Sequence, residues 1–88
     1  MLKRGCFLVI HEDIECGHVM DKIVNGVFTD RKDAEDFMVY RVEGVKGNIR
    51  VTRSTQGGLR YRVKFVGMED EYLFRIEESS LFEKIAEK

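Results

Sequence analysis

The amino-acid sequence predicts an α+β fold, in which an antiparallel sheet of about five strands has one main helix packed on one face. The predicted order of elements is β-β-α-β-β-β-α, with a short helix at the C-terminal end. Three observations support it: apolar or alternating segments of strand length, one longer segment with helical spacing, and glycine-containing turns between neighbouring strands. A chain of 88 residues can bury one core, so residues 1–88 are expected to form a single domain.

Two strands are predicted at the start of the chain. Residues 6–10 form a continuous apolar run, which is typical of a buried strand. The polar segment 13–17 contains a glycine and predicts a turn. Residues 19–28 predict a second strand, and Asn25 followed by Gly26 indicates a bulge inside it.

The main helix is predicted directly after the second strand. Thr29 and Asp30 supply the side-chain oxygens that cap the first turn of a helix. Gly44 or Gly47 is expected to end the helix, since glycine tolerates a left-handed backbone. The side chains that follow at helical spacing, with an arginine at the rim of the buried face, are Ala34, Phe37, Met38, Arg41 and Val42.

A hairpin and a last strand are predicted in the second half. Residues 49–55 and 59–66 alternate in polarity, and the two glycines in residues 56–58 suit the tight turn between them. Ser80 and Glu83 have the spacing of a capping box and predict the short C-terminal helix. The apolar side chains of the last strand that are expected to face the core are Tyr72, Phe74 and Ile76.

Charge is unevenly distributed along the chain. The formal net charge is only −1, but residues 41–64 carry seven basic side chains and one acidic side chain. Both flanking segments, 1–40 and 65–88, carry an excess of acidic side chains. Positive charge concentrated in one predicted hairpin suggests a surface with a specific role.

The alternation of the second hairpin strand separates its charged and apolar side chains. Leu59, Tyr61, Val63 and Phe65 share one face, while basic side chains occupy the other. Arg50 lies on the paired strand and Arg53 lies nearby, so both join the candidate set. The predicted binding residues are Arg50, Arg53, Arg60, Arg62 and Lys64.

Three interpretations of these basic side chains remain open. They can form a ladder of salt bridges with acidic residues of the next strand and turn, such as Glu71 and Glu77. They can also bind an acidic surface of a partner protein, or the phosphates of a nucleic acid. Nucleic acid is the weaker of the two binding interpretations, because the domain is slightly acidic and its aromatic residues fall on predicted core positions.

Both cysteines and both histidines lie in the first twenty residues, at Cys6, His11, Cys16 and His18. His11, Cys16 and His18 are candidate zinc ligands, although their spacing matches no common zinc motif. Cys16 and His18 can also share a strand face, as a thiolate–imidazole pair would require. No recognised catalytic or cofactor motif is present, so we expect neither an enzyme nor a bound cofactor.

The sequence also bears on localisation. No apolar run approaches the ~20 residues of a membrane helix, and the early apolar run is shorter than a secretory segment requires. The expected location is therefore the cytoplasm, where the two cysteines would be reduced.

The segment 25–37, Asn-Gly-Val-Phe-Thr-Asp-Arg-Lys-Asp-Ala-Glu-Asp-Phe, resembles a strand–helix junction of small bacterial and phage proteins. In style the whole chain is similar to bacteriophage early proteins. That resemblance implies a tiny domain without cofactors that binds and inhibits a host machine, such as RNA polymerase, a nuclease or a nucleoid protein. It carries over no functional residues.

These observations lead to a ranked set of hypotheses. The first is a non-enzymatic protein-binding module, of the phage inhibitor type, which engages an acidic surface of a host protein in the host cytoplasm. The alternatives are direct nucleic-acid binding by the same basic side chains, and a small zinc-binding or thiol protein that uses the region of Cys16 and His18. A homodimer formed through an exposed strand edge is compatible with each of them.

Overall fold

A computed structural model describes residues 5–79 and shows an α+β fold with one helix in that part of the chain. The predicted C-terminal helix, which begins at Ser80, lies outside the described residues. The elements, in chain order, are β1 (Cys6–Glu15), β2 (His18–Phe28), α1 (Arg31–Glu43), β3 (Ile49–Ser54), β4 (Arg60–Phe65) and β5 (Asp70–Ser79). None of the described helical segments is long and apolar enough to span a membrane.

The five strands form one antiparallel sheet in the order β2-β1-β5-β4-β3. Strands β1 and β2 form one hairpin, and β3, β4 and β5 follow one another as a meander. Strand β5 then pairs with β1, so the last of the five strands in sequence lies at the centre of the sheet. Helix α1 connects the two edge strands, β2 and β3, and packs across one face.

The first strand is longer than predicted. A turn was predicted over residues 13–17, but its predicted start is wrong. Strand β1 continues to Glu15, and only Cys16 and Gly17 form the turn. Both turn residues have positive φ, at 52° and 80°, which suits a two-residue hairpin. The polar side chains before the turn belong to a strand that pairs on both sides, with β2 and with β5.

The predicted bulge in β2 is confirmed. The register of β1 with β2 shifts between Val9 and Ile10, where Gly26 and Val24 are the partners, so Asn25 is the extra residue. A second shift, between Asp13 and Ile14, was not predicted and leaves Met20 as an extra residue.

Helix α1 begins and ends close to the predicted residues. The Asp30 side chain accepts a hydrogen bond of 2.7 Å from the Lys32 backbone N–H, as an N-cap should. The C-cap is Gly44, but its φ of −80° is right-handed, so the expected left-handed conformation is found instead at Gly47. Arg41 is exposed at the rim of the helix, as predicted.

The core lies between α1 and one face of the sheet, which we call the helix face. The sheet contributes side chains from its three central strands, and the helix contributes one face. These buried core residues are Val9, Val63, Phe74, Ala34, Met38 and Val42. We call the opposite side of the sheet the far face. Cys6 and Ile10 are buried there, on the interior strand β1.

Candidate functional site

Four of the five predicted binding residues lie together on the far face of β3 and β4. Arg50 lies across from Lys64, and Thr52 and Ser54 lie across from the other two arginines of β4. All four cationic side chains are exposed. We call this set the basic ribbon; its members are Arg50, Arg60, Arg62 and Lys64.

The fifth candidate, Arg53, does not belong to the basic ribbon. It lies across from Tyr61, whose ring packs against the core, and it therefore points to the helix face. Residues 50 and 53 are three positions apart on one strand, which puts their side chains on opposite faces. Strict alternation of side chains along the strand would have been enough, from the sequence alone, to assign these two arginines to opposite faces.

A seam of charged side chains borders the basic ribbon on β5 and β1. At its centre Arg75 donates a hydrogen bond of 3.0 Å to Glu77, and it lies 3.6 Å from a carboxylate oxygen of Glu12. The hydrogen bond from Arg75, reinforced by the charge of Lys22, lowers the pKa of the Glu77 carboxyl. Negative charge therefore lies beside the basic ribbon, held in place by a central arginine.

The seam neutralises only part of the basic ribbon. Arg62 Nε lies 3.4 Å from Glu71, whose side chain is largely buried. Within residues 5–79, the other three cations of the ribbon have no ion-pair partner. Arg60 even lies directly across from Arg75, a neighbour of the same charge. The predicted salt-bridge ladder thus accounts for one of the four cations, with Glu71 as the acidic partner.

The surface beside the ribbon is a shallow groove. Thr52, Ser54, Arg60, Arg62 and Leu73 surround a cavity of about 460 Å³. Its polar groups are hydroxyls and guanidinium groups, which can bind carboxylate or phosphate oxygens. Both aromatic rings of this hairpin lie on the helix face, so they cannot serve as a stacking surface for bases here.

The candidate zinc and thiol residues are not brought together. Cys16 and His18 are exposed at the β1–β2 turn, whereas His11 lies partly buried on the helix face, against Tyr72 and Phe74. Cys16 is five positions further along the chain than His11, which corresponds to roughly 16 Å of extended strand. In the described part of the chain, no three His, Cys, Asp or Glu side chains are grouped as metal ligands.

Sequence reasoning missed the part that β1 plays in this site. Glu12 reaches Arg75 only because β5 pairs with β1, and no local signal predicts that pairing. No protein-family model, curated protein or solved structure shows a significant match to the chain.

Proposed function

We propose that this protein is a non-enzymatic binding module that engages an acidic surface of another protein through its basic ribbon. The observation that carries the proposal is that the four cations of the basic ribbon are exposed and, in the part of the chain that the structure describes, mostly unpaired. They are exposed on one face of a single pair of strands, and Arg62 alone has an ion-pair partner among the described residues. Charge of one sign displayed in this way steers association and selects partners of the opposite sign.

The surroundings of the ribbon favour a protein partner over a nucleic acid. The seam beside it contains the exposed carboxylate of Glu77 and the more deeply placed carboxylates of Glu12 and Glu71, and their negative charge would repel a phosphate backbone that crossed the sheet. A protein surface can match both signs, with acidic groups over the ribbon and basic groups over the seam. The chain as a whole is slightly acidic, unlike most nucleic-acid-binding domains.

The resemblance to phage early proteins supports a choice of partner. On that basis the module inhibits a macromolecular machine of a bacterial host, such as RNA polymerase or a nucleic-acid-processing protein, and acts in the host cytoplasm. An acidic surface of such a machine is the expected target.

Charge reversal on the ribbon tests the proposal. The double variant Arg60→Glu with Arg62→Glu should keep the fold and weaken binding by roughly 10-fold or more, because repulsion replaces attraction at two positions. Arg53→Glu is the matched control, since it reverses an arginine of the same hairpin on the other face. Pull-down from a bacterial lysate identifies partners, and titration of the purified partner gives the affinities.

The outcomes separate the candidate functions. Loss of the partner in the double variant but not in Arg53→Glu supports the proposal, and equal binding by all three proteins contradicts it. A mobility-shift titration with oligonucleotides, at low and high salt, tests the alternative. Salt-sensitive binding of DNA or RNA, abolished by the same double variant, would favour nucleic-acid recognition instead.

A further inference from the structure

An open cleft lies on the helix face, between the C-terminal end of α1 and the sheet. Its volume is about 590 Å³, which is within the usual range of small-molecule sites. The sheet supplies a floor of four rings, from His11, Phe65, Tyr72 and Phe74. The end of α1 and the segment after it supply the opposite wall. The cleft is on the other side of the sheet from the basic ribbon, so it is a separate site.

The rings of the floor are packed against one another. His11 stacks on Phe74 at 4.6 Å between centroids and meets Tyr72 edge to face at 4.4 Å. Phe65 meets Tyr72 edge to face at 5.0 Å. Mutual packing fixes the ring orientations before anything binds, which lowers the entropy cost of binding a flat apolar group. Phe65 and Tyr72 remain only half-buried, although the helix covers the sheet nearby.

Charged side chains occupy the wall. Arg41 comes from the last turn of α1, Lys46 from the loop that follows, and Glu43 from the end of the helix. Two cations thus face one carboxylate. None of the three has an ion-pair partner within residues 5–79, so the two cations are available to an anion. Arginine in particular binds carboxylates with two parallel hydrogen bonds.

A buried polar atom on the floor gives an independent indication. His11 Nε2 is shielded from solvent and has no hydrogen-bond partner among the described residues. An unpaired buried polar group is unfavourable, so its presence beside the cleft calls for an explanation. From the sequence, His11 is a candidate metal ligand, whereas in the structure it lines an aromatic cleft.

We propose that this cleft binds a small planar aromatic molecule that carries a carboxylate. The ring would lie against the partly exposed rings of Phe65 and Tyr72, which His11 and the buried Phe74 hold in place, and the carboxylate would bind to Arg41 and Lys46. The apolar part of the ligand supplies affinity, and the two cations select against uncharged and cationic analogues. The inference does not depend on the function proposed for the basic ribbon.

The test is a titration of the protein, followed by NMR of its backbone amides. The probes are indole-3-acetate, 1-naphthoate and benzoate, with indole-3-acetamide as the uncharged match of the first. Indole-3-acetate and 1-naphthoate should bind more tightly than benzoate, and their shifts should concentrate at His11 and at residues 41–46. The amide should bind about 10-fold more weakly than indole-3-acetate, because it lacks the charge.

Variants locate the site and provide the control. Arg41→Gln should weaken indole-3-acetate about 10-fold, and Lys32→Gln, at the other end of α1, should leave the affinity unchanged. Both side chains are exposed, so both variants should fold. The proposal is overturned if no carboxylate probe shifts the cleft residues, if the amide binds equally well, or if Arg41→Gln binds as tightly as Lys32→Gln.

Discussion

His11 is the residue whose surroundings depart most from those of a surface side chain. Burial lowers the pKa of its imidazole below the ordinary value of 6.5. The nearby carboxylates of Asp13 and Asp21 oppose this shift, while the positive charge of Arg41 adds to it. Burial in the folded protein therefore favours the neutral form of the imidazole, which packs against Tyr72 and Phe74.

A lowered pKa makes stability depend on pH in a defined direction. At pH values well above 6.5 the imidazole is neutral in both the folded and the unfolded state and contributes no pH dependence. As pH falls through 6.5, the unfolded chain takes up the proton first, so the free energy of unfolding should decrease until the folded state is protonated as well.

Urea denaturation at several pH values between about 5 and 8 measures this dependence. The variant His11→Phe keeps a stacked ring but has no titrating group, so its stability should change less with pH over that range. A wild-type protein that becomes more stable as pH falls from 6.5 to 5 would contradict the assignment.

Arg60 carries a charge that the fold does not favour. It lies directly across from Arg75, and like charges at such a cross-strand position destabilise a sheet. Arg60→Thr should therefore raise the free energy of unfolding, by about 0.2–1 kcal/mol, even though it removes a cation of the basic ribbon.

The matched control is Arg53→Thr. Arg53 lies across from Tyr61, with no charge directly opposite, so its replacement should change the stability little. Chemical denaturation of both variants gives the comparison. If Arg60→Thr proves less stable than Arg53→Thr, the repulsion between Arg60 and Arg75 is not significant. If it is more stable but binds the partner less well, Arg60 serves binding at the expense of the fold.

At the scale of elements, strand β2 has the most exposed apolar surface. It lies at an edge of the sheet and is eleven residues long. Its exposed large apolar side chains are Val19, Met20, Ile23, Val24 and Val27. Edge strands of this kind pair readily with further strands, and here only the two bulges, Asp21 and Lys22 oppose such pairing. Of the two edge strands, β2 is therefore the one that a homodimer through a strand edge would use.

A single charge should suppress that self-association. Val24 is 50% exposed, so Val24→Lys should leave the fold intact. In any β2–β2 contact, however, the lysine ammonium group would have to be desolvated, which disfavours the contact. We expect the wild-type protein to sediment faster as its concentration rises, and Val24→Lys to remain a monomer.

Val51→Lys provides the comparison on the other edge strand, β3, where Val51 is 44% exposed. It should behave as the wild type does. A wild-type protein that stays monomeric at millimolar concentration, or an equal effect of both lysines, would exclude β2 as the contact.

The elements could be predicted where local chemistry is specific. The Asp30 cap, the paired glycines of the β3–β4 turn and the alternation of β4 each indicate one structure, and all three are confirmed. The end of β1 could not be predicted in the same way. Its polar residues resemble a turn, and a non-glycine residue with positive φ, Cys16, is uncommon.

The arrangement of the whole molecule was beyond the sequence. Neighbouring strands of a meander can be inferred from short turns, but the pairing of β5 with β1 joins distant segments. Both the seam beside the basic ribbon and the aromatic cleft depend on that pairing, since each combines side chains of β1 and β5. The basic ribbon was predictable because it lies within one hairpin.

The central position of β5 also has a kinetic consequence. The β1–β2 and β3–β4 hairpins can each form locally, but β5 must enter between them before a single sheet exists. Its pairing places Cys6 beside Ser79, at opposite ends of the described chain, and such a long loop is entropically costly to close. The rate of folding should therefore be limited by the docking of β5 between the two hairpins. When β5 dissociates, both hairpins should be destabilised at the same time, because β5 is the strand that joins them.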